Sequence, residues 1–468
     1  MSKWQNAVHL FSEQAKEKPN ELALWCKGET VTFAELSKLA ARLQSPLRAS
    51  GASVGDAALL VEPLSPRMYA AVLALMGLGV TVIFVEPWMK VERIEKILAL
   101  VQPKYFLSGI FGQLWSWRSS SLRKIPFKIS LGTASDPSMP LNLTVVDVAD
   151  DLAALLTFTS GTTGEPKGVV RTHGYLRKQL KALDENLHLS KFTRPDLCIF
   201  ANFALANLAM GRASLLVPSR WTPDILNHLD ALPTKLQPET STCGPAFLRR
   251  ICNSGLFTDL KSVHVGGALT DCGIFENAFE QWSDCEFTHI YGSSEAEPVA
   301  VGDARRAVEI SRSQGFFQTL CLGKVVPQIR SELTADTVWV TGDHVAPFYL
   351  GARDENAKAK KKDEEGRVWH NMGDRIRADG ELWFYAGREQ QRWDEFQIEQ
   401  KIYSHLQSSQ SFVHRDSEGL KLFGEGLKPH KLELLRAFPE LCGVVNCRIR
   451  RDSRHRARID RPRSRGDR

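Results

Sequence analysis

Apolar and polar positions along the chain change period repeatedly, and each change marks an element. Residues 6–15 and 34–47 repeat apolar side chains at helical spacing, with a short β-branched run at 30–33 between them. Residues 57–61 read as a buried strand, and the alternation of strand and helix continues through 91–101. The stretch 68–85 is almost wholly apolar and reaches the length, roughly eighteen residues, at which a membrane span is considered. Gly77 and Gly79 split it into an Ala/Leu/Met-rich half with helical preference and a β-branched half that Glu86 and Pro87 stop. Helix, turn and buried strand is the resulting reading, and no transmembrane segment is expected. A strand apolar on both faces belongs in a sheet covered by helices, and the repeated alternation predicts a parallel α/β sheet.

Further along, residues 155–158 are strand-like, 176–187 helical, 203–217 apolar, and Gly244-Pro245 looks like a helix start. From 338–340 onward the pattern turns to short strands and turns, with a charged loop at 358–365 and a hairpin-like turn at Asp379-Gly380. Composition shifts again after Arg388. The expected architecture is α/β. A large N-terminal domain over 1–386 has parallel-rich sheets covered by helices plus a β-rich subdomain; a hinge at 387–392 leads to a small α+β domain over 393–468. A length of 468 residues already exceeds what one hydrophobic core usually serves.

Composition adds little to this picture and removes some alternatives. The chain is 43% hydrophobic and 24% charged, ordinary for a globular protein. Its net charge of +6 is concentrated in 447–468, which carries about ten arginines, so the remainder is near neutral and no nucleic-acid partner is expected. The 9 cysteines include no C-x-x-C pair, and the 12 histidines lack metal-ligand spacing. Residues 1–6 contain no apolar signal core, which makes the cytoplasm the default expectation.

The chemistry is concentrated at 155–171, L-L-T-F-T-S-G-T-T-G-E-P-K-G-V-V-R. Thr159, Ser160, Thr162 and Thr163 interleave hydroxyls with Gly161 and Gly164, which let backbone amides turn toward an anion. Lys167 follows closely enough to place a point charge on the same anion, and Pro166 stiffens the turn. A Walker A loop is rejected, because it needs Gly-Lys-Ser/Thr opening a helix, whereas Gly168 and two valines follow this lysine.

On these residues the chain resembles the acyl-adenylate-forming superfamily of acyl-CoA synthetases, peptide-synthetase adenylation domains and luciferase, whose signature loop reads S-G-T-T-G-x-P-K-G. The resemblance extends through three further strings in the superfamily's order. Tyr291-Gly292-Ser293-Ser294-Glu295 is similar to its Y-G-x-T/S-E motif, which implies that Tyr291 stacks on adenine, Ser294 approaches the α-phosphate and Glu295 binds Mg²⁺. Gly266-Gly267-Ala268 resembles the small-residue turn that admits the nucleotide. Asp374 stands at the T-G-D position implied to hold the ribose, and 379–388 resembles D-G-x-L-x-F-x-G-R, with Arg388 at the hinge.

What the resemblance implies is an ATP- and Mg²⁺-dependent ligase that activates a small-molecule carboxylic acid as acyl-AMP and releases pyrophosphate. Within the superfamily, the strings around Tyr291 and Asp374 and the R-H-x-A-x-I end look most similar to bacterial fatty-acid-activating and β-lactone-forming members, which implies a fatty or β-hydroxy fatty acid. CoA transfer or lactone closure would complete the reaction. Two departures stand out. Residues 392–399 lack the glycine and flanking arginines of the loop that shapes the thiol tunnel in CoA-using relatives, and Arg458 stands where relatives carry the adenylation lysine. The rival expectation is a non-catalytic or adenylation-impaired relative that binds nucleotide or acyl-AMP.

Overall fold

The computed structural model describes residues 5–85, 89–110, 112–113, 119–132, 142–160, 166–218, 221–389 and 391–447. The chain divides into two compact units, the first made of Met1–Glu239, Ser294–Glu297 and Thr341–His370, the second of Thr240–Ser293, Pro298–Val340 and Asn371–Arg468.

The first unit is built around a seven-stranded sheet. Its spatial order is Tyr349–Leu350, Pro166–Thr172, Ala153–Ser160, Thr81–Phe84, Ala57–Val61, Tyr105–Ser108, Phe127–Ser130. The last five strands run parallel, as the strand–helix alternation predicts. Pro166–Thr172 reverses direction because it returns along Ala153–Ser160 as a hairpin, and Tyr349–Leu350 pairs antiparallel outside it. One core gathers Leu59, Ile83, Ile94, Ile97, Phe106, Leu156 and Phe158, so the central strands are apolar because helices cover them.

The apolar stretch 68–85 resolves into helix Pro66–Gly77 and strand Thr81–Phe84. Ser65 caps the helix by accepting from the Met68 amide, Pro66 fits the first turn, and every residue from Met68 to Gly77 is buried. Gly79 supplies the left-handed turn between them at φ +71°. Among the described residues no helix is long and apolar enough to cross a membrane. A further strand pair, Leu22–Cys26 with Glu29–Thr32, precedes helix Phe33–Ala49, whose start is fixed by a reciprocal capping box between Thr32 and Glu35.

The second unit carries parallel strands Thr240–Cys243, Ser262–Gly266 and Glu286–Ser293, and antiparallel Cys321–Val325, Leu382–Arg388 and Asp374–Asp379. The hairpin turn expected at Asp379-Gly380 joins the last two, with Gly380 at φ +58°. Beyond residue 391, helices Trp393–Leu406 and Lys431–Ala437 pack on strands Ser411–Asp416, Gly419–Gly424 and Leu441–Asn446 around Ile398, Ile402, Leu422 and Leu434. No disulfide joins any of the nine cysteines.

The segment 358–365, expected to be a charged loop, is in part ordered structure. Helix Arg353–Ala359 ends there and Lys360–Lys362 forms a strand whose residues pair antiparallel with 368–370. Three consecutive lysines conceal the strand period in the sequence, and the backbone ladder, with the Lys360 ammonium over the Tyr349 ring, supplies the order.

Candidate functional site

In the first unit the signature segment forms a hairpin whose register sets Thr159 opposite Lys167 and Ser160 opposite Pro166. Gly161, Thr162, Thr163 and Gly164 lie outside the described residues. Gly168 has a packing reason to follow the lysine: a Cβ there would stand 3.0 Å from the Phe158 ring and 3.3 Å from Leu350.

Lys167 leaves this hairpin with its ammonium 3.6 Å from Glu355 Oε1 and 5.7 Å from the centre of the Tyr349 ring. The Tyr349 hydroxyl donates to Glu295 Oε1 at 2.7 Å, and the Glu295 carbonyl accepts from the Ala346 amide at 2.7 Å. Two residues singled out in the sequence, Lys167 and Glu295, thus meet around a tyrosine that no motif announces. Lys360 and His370 complete the group. The Lys360 ammonium is 5.3 Å from the Tyr349 ring centre, and the His370 ring meets the same ring edge-on at 6.2 Å.

The electrostatics of the group follow from burial. Loss of water pushes Lys360 down to about 8, against the pull of Glu295. Burial, reinforced by Lys360, lowers His370 to about 4, so its ring is neutral at pH 7. Burial and then the Glu295 charge hold the Tyr349 phenol protonated.

Arg171, at the far end of the signature hairpin, is buried and fastens it to the glutamate segment. Its guanidinium donates to Thr157 Oγ1 at 2.6 Å and to the Ser294 carbonyl at 2.7 Å. Glu297 accepts from Asn202 Nδ2 at 3.0 Å; burial raises its carboxyl to about 7, with Arg171 and Asn202 opposing. Arg171, Arg177, Gln179 and Asn202 form the polar part of a narrow pocket of about 50 Å³, otherwise lined by apolar side chains including Phe11, Leu73 and Leu205.

In the second unit Tyr291, Asp374 and Arg388 come together. The Tyr291 hydroxyl donates to Asp374 Oδ2 at 2.8 Å, and Arg388 Nη1 stands 3.0 Å from Asp374 Oδ1. Asp374 is 6% exposed, while the Arg388 side chain retains 40% exposure. Burial, then Asp374, raises the Tyr291 phenol. Asn371 shapes the approach: its Oδ1 accepts from the Gly373 amide at 2.8 Å, and Gly373 takes the left-handed φ of +67°. Gly266 pairs with Ile290 across parallel strands, where a Cβ would stand 3.2 Å from the Ile290 carbonyl oxygen, and Gly267 turns at φ +84°. Ala268 follows this turn, and Gly292 follows Tyr291 near the end of the neighbouring strand Glu286–Ser293. Arg458 lies outside the described residues.

The donor set also bears on a metal. Among the described residues no group of three or more His, Cys, Asp or Glu side chains could hold an ion alone. Mg²⁺ is commonly held by one or two carboxylates plus substrate phosphates and water, and Glu295 fits that arrangement.

Comparison with known proteins gives the fold and the family. A long-chain-fatty-acid-CoA ligase from Archaeoglobus fulgidus superimposes with a TM-score of 0.71 at 17% identity, covering 96% of this chain and 97% of that one. An anthranilate CoA ligase solved with anthranoyl-AMP gives 0.79 at 15% identity, covering 98% and 96%. The fold is therefore that of the AMP-forming ligases. The chain belongs to the AMP-binding enzyme family, whose pattern matches residues 11–350. It is also similar to the olefin beta-lactone synthetase of Stenotrophomonas maltophilia, 25% identical over 452 residues, 83% of this chain and 80% of that protein.

Tyr349, Glu355, Lys360, His370 and Arg171 escaped the reading of the sequence as site residues. Arg171 was visible as part of the basic end of the signature string, and Lys360 was masked by its lysine neighbours.

Proposed function

We propose that this protein adenylates a fatty or β-hydroxy fatty acid with ATP, releasing pyrophosphate, and passes the acyl group on by lactone closure or to CoA. The observation that carries the reading is the convergence of Lys167 and Glu295 on Tyr349, with the ammonium 5.7 Å from the ring and the carboxylate holding its hydroxyl. In this reading one oxygen of the substrate carboxylate attacks the α-phosphorus in line. The bond from that phosphorus to the α–β bridging oxygen breaks, and pyrophosphate leaves. Such a transfer needs alignment and charge neutralisation more than covalent help.

The residues divide those tasks. Lys167 meets the β- and γ-phosphates together with Thr159, Ser160 and the loop amides of Gly161 to Gly164, and Ser294 steadies the α-phosphate. Asp374 accepts the ribose hydroxyls beside Arg388, Tyr291 supports the adenine, and Gly266, Gly267, Ala268 and Gly292 leave room for it. Glu295 would hold Mg²⁺, whose charge offsets that of the phosphates. Arg458 takes the place of the family lysine toward the developing charge.

Similarity to olefin beta-lactone synthetases supports a β-hydroxy acid over an unsubstituted one and lactone closure over CoA transfer. The altered 392–399 loop points the same way. The test is mass spectrometry of products from ATP with paired 3-hydroxy and unsubstituted acids, each with and without CoA. The expected outcome is acyl-AMP and AMP with both acids, and CoA-independent loss of water from the 3-hydroxy acid alone. Formation of acyl-CoA as the end product overturns the lactone part; failure to form acyl-AMP overturns the whole.

A further inference from the structure

Lys360 has no part in any motif, yet it is the one member of the run Lys360–Lys362 whose side chain turns into the Tyr349 group, while Lys361 and Lys362 are exposed. Burying a cation is unfavourable unless partners compensate it, and a lysine held in such a place needs a reason. Its ammonium donates to the Ala346 carbonyl and feels the Glu295 carboxylate. The strand register sets it opposite His370, whose neutral ring adds no charge.

A charge count shows what Lys360 changes. The group contains two carboxylates, Glu295 and Glu355, and two cations, Lys167 and Lys360. With both lysines it is neutral before a ligand arrives; without Lys360 it carries a net negative charge and repels any polyanion.

We propose that Lys360 is a second polyphosphate-binding residue, acting with Lys167 on the pyrophosphoryl part of a nucleoside triphosphate. The inference rests on the adenylation reading but assigns a residue that reading does not use. With the ammonium 5.3 Å from the Tyr349 ring centre, a flexible four-carbon stem lets it exchange the Ala346 carbonyl for a phosphate oxygen without moving the strand.

The experiment is calorimetric binding of inorganic pyrophosphate, with EDTA and with Mg²⁺, to the full-length protein and to Lys360→Gln, Lys360→Arg, Lys361→Gln and Lys167→Ala, with adenosine as a phosphate-free control. Glutamine keeps a donor for the Ala346 carbonyl, and arginine keeps the charge. Lys360→Gln is expected to weaken metal-free pyrophosphate binding by about tenfold or more, the effect of one charge-assisted hydrogen bond, while adenosine binding and Lys361→Gln stay at the wild-type level. Lys360→Arg is expected to retain pyrophosphate binding within a few-fold, a result that stands even if the glutamine variant does not fold. Wild-type pyrophosphate affinity in Lys360→Gln with a loss in Lys167→Ala overturns this inference and leaves the adenylation reading intact. Equal loss of pyrophosphate and adenosine overturns it in favour of a structural lysine. No loss in either lysine variant overturns both.

Discussion

Replacing Lys167 by alanine does two things at once in this structure, and they can be separated. The ammonium lies 3.6 Å from Glu355, with the two side chains 17% and 14% exposed, so it is a charge held in place rather than a mobile surface lysine. Removing an oriented charge from a water-poor site costs about 10²- to 10³-fold in the chemical step. The same change leaves the Glu355 carboxylate facing the phosphates without that ammonium. Two like charges about 6 Å apart at an effective dielectric near 20 repel by about 3 kcal/mol, and water entering the alanine cavity reduces this to about 1.4 kcal/mol, a factor of ten. Lys167→Ala is therefore expected near the upper end of that range, and Lys167→Ala with Glu355→Gln should recover about tenfold. Glu355→Gln alone should change the rate by less than about fivefold, since the lysine keeps its charge. Single-turnover release of pyrophosphate, measured in all four proteins, gives the double-mutant cycle. A Lys167→Ala rate within threefold of wild type, or a double variant no faster than Lys167→Ala, refutes the reasoning.

Other expectations follow from the same contacts. Tyr349→Phe removes the 2.7 Å bond to Glu295 and should slow adenylation by roughly tenfold to a hundredfold at an unchanged melting temperature; an unchanged rate shows that Glu295 needs no holder. Arg171→Met deletes two buried charge-assisted bonds and should destabilise the protein by about 3–5 kcal/mol in a denaturant titration, whereas a loss under 1 kcal/mol means that other contacts carry the 294–297 segment. Burial lowers His173, His289 and His370 to about 4, so below about pH 6.5 the unfolded chain binds protons that the folded chain refuses. The histidine contribution should therefore be complete above pH 6.5 and fall toward pH 4 by up to about 1.4 kcal/mol per pH unit for each histidine, outweighing the opposite contribution of Glu297, whose carboxyl, raised to about 7, adds stability as the pH falls below that value; a flat denaturation midpoint between pH 7 and 5 contradicts this. If Arg458 meets the developing charge, Arg458→Lys should speed acyl-AMP formation and Arg458→Ala slow it, while no change in either removes the residue from the mechanism.

The parts of this protein legible in the sequence are those whose function is written in local backbone chemistry. Glycines and hydroxyls around a lysine announce an anion loop, and the expected strands stand on both sides of it in sequence, Ala153–Ser160 paired with Pro166–Thr172. The apolar stretch 68–85 separated correctly because two glycines and a change from Ala/Leu to β-branched residues mark the turn. The contacts that arrange the site were hidden because they are non-local. Tyr349 reaches Glu295, and Glu355 reaches Lys167, only after Tyr349–Leu350 pairs beside the signature hairpin. Strand Leu22–Cys26 lacked a clear alternation because four of its five residues are buried. Lys360 shows the limit most clearly: in a row of three lysines, the contacts with the Ala346 carbonyl and the Tyr349 ring reveal which one turns into the site.

Acid-dependent adenylation is measured by isotope exchange between pyrophosphate and ATP in the presence of single fatty acids and their 3-hydroxy counterparts. Exchange is expected to require the acid and Mg²⁺ and to fall about 10²-fold or more in Glu295→Ala, with AMP as the nucleotide product of the completed reaction. ATP binding without acid-dependent exchange, in a protein whose Lys167→Ala and Glu295→Ala variants behave like wild type, would contradict it.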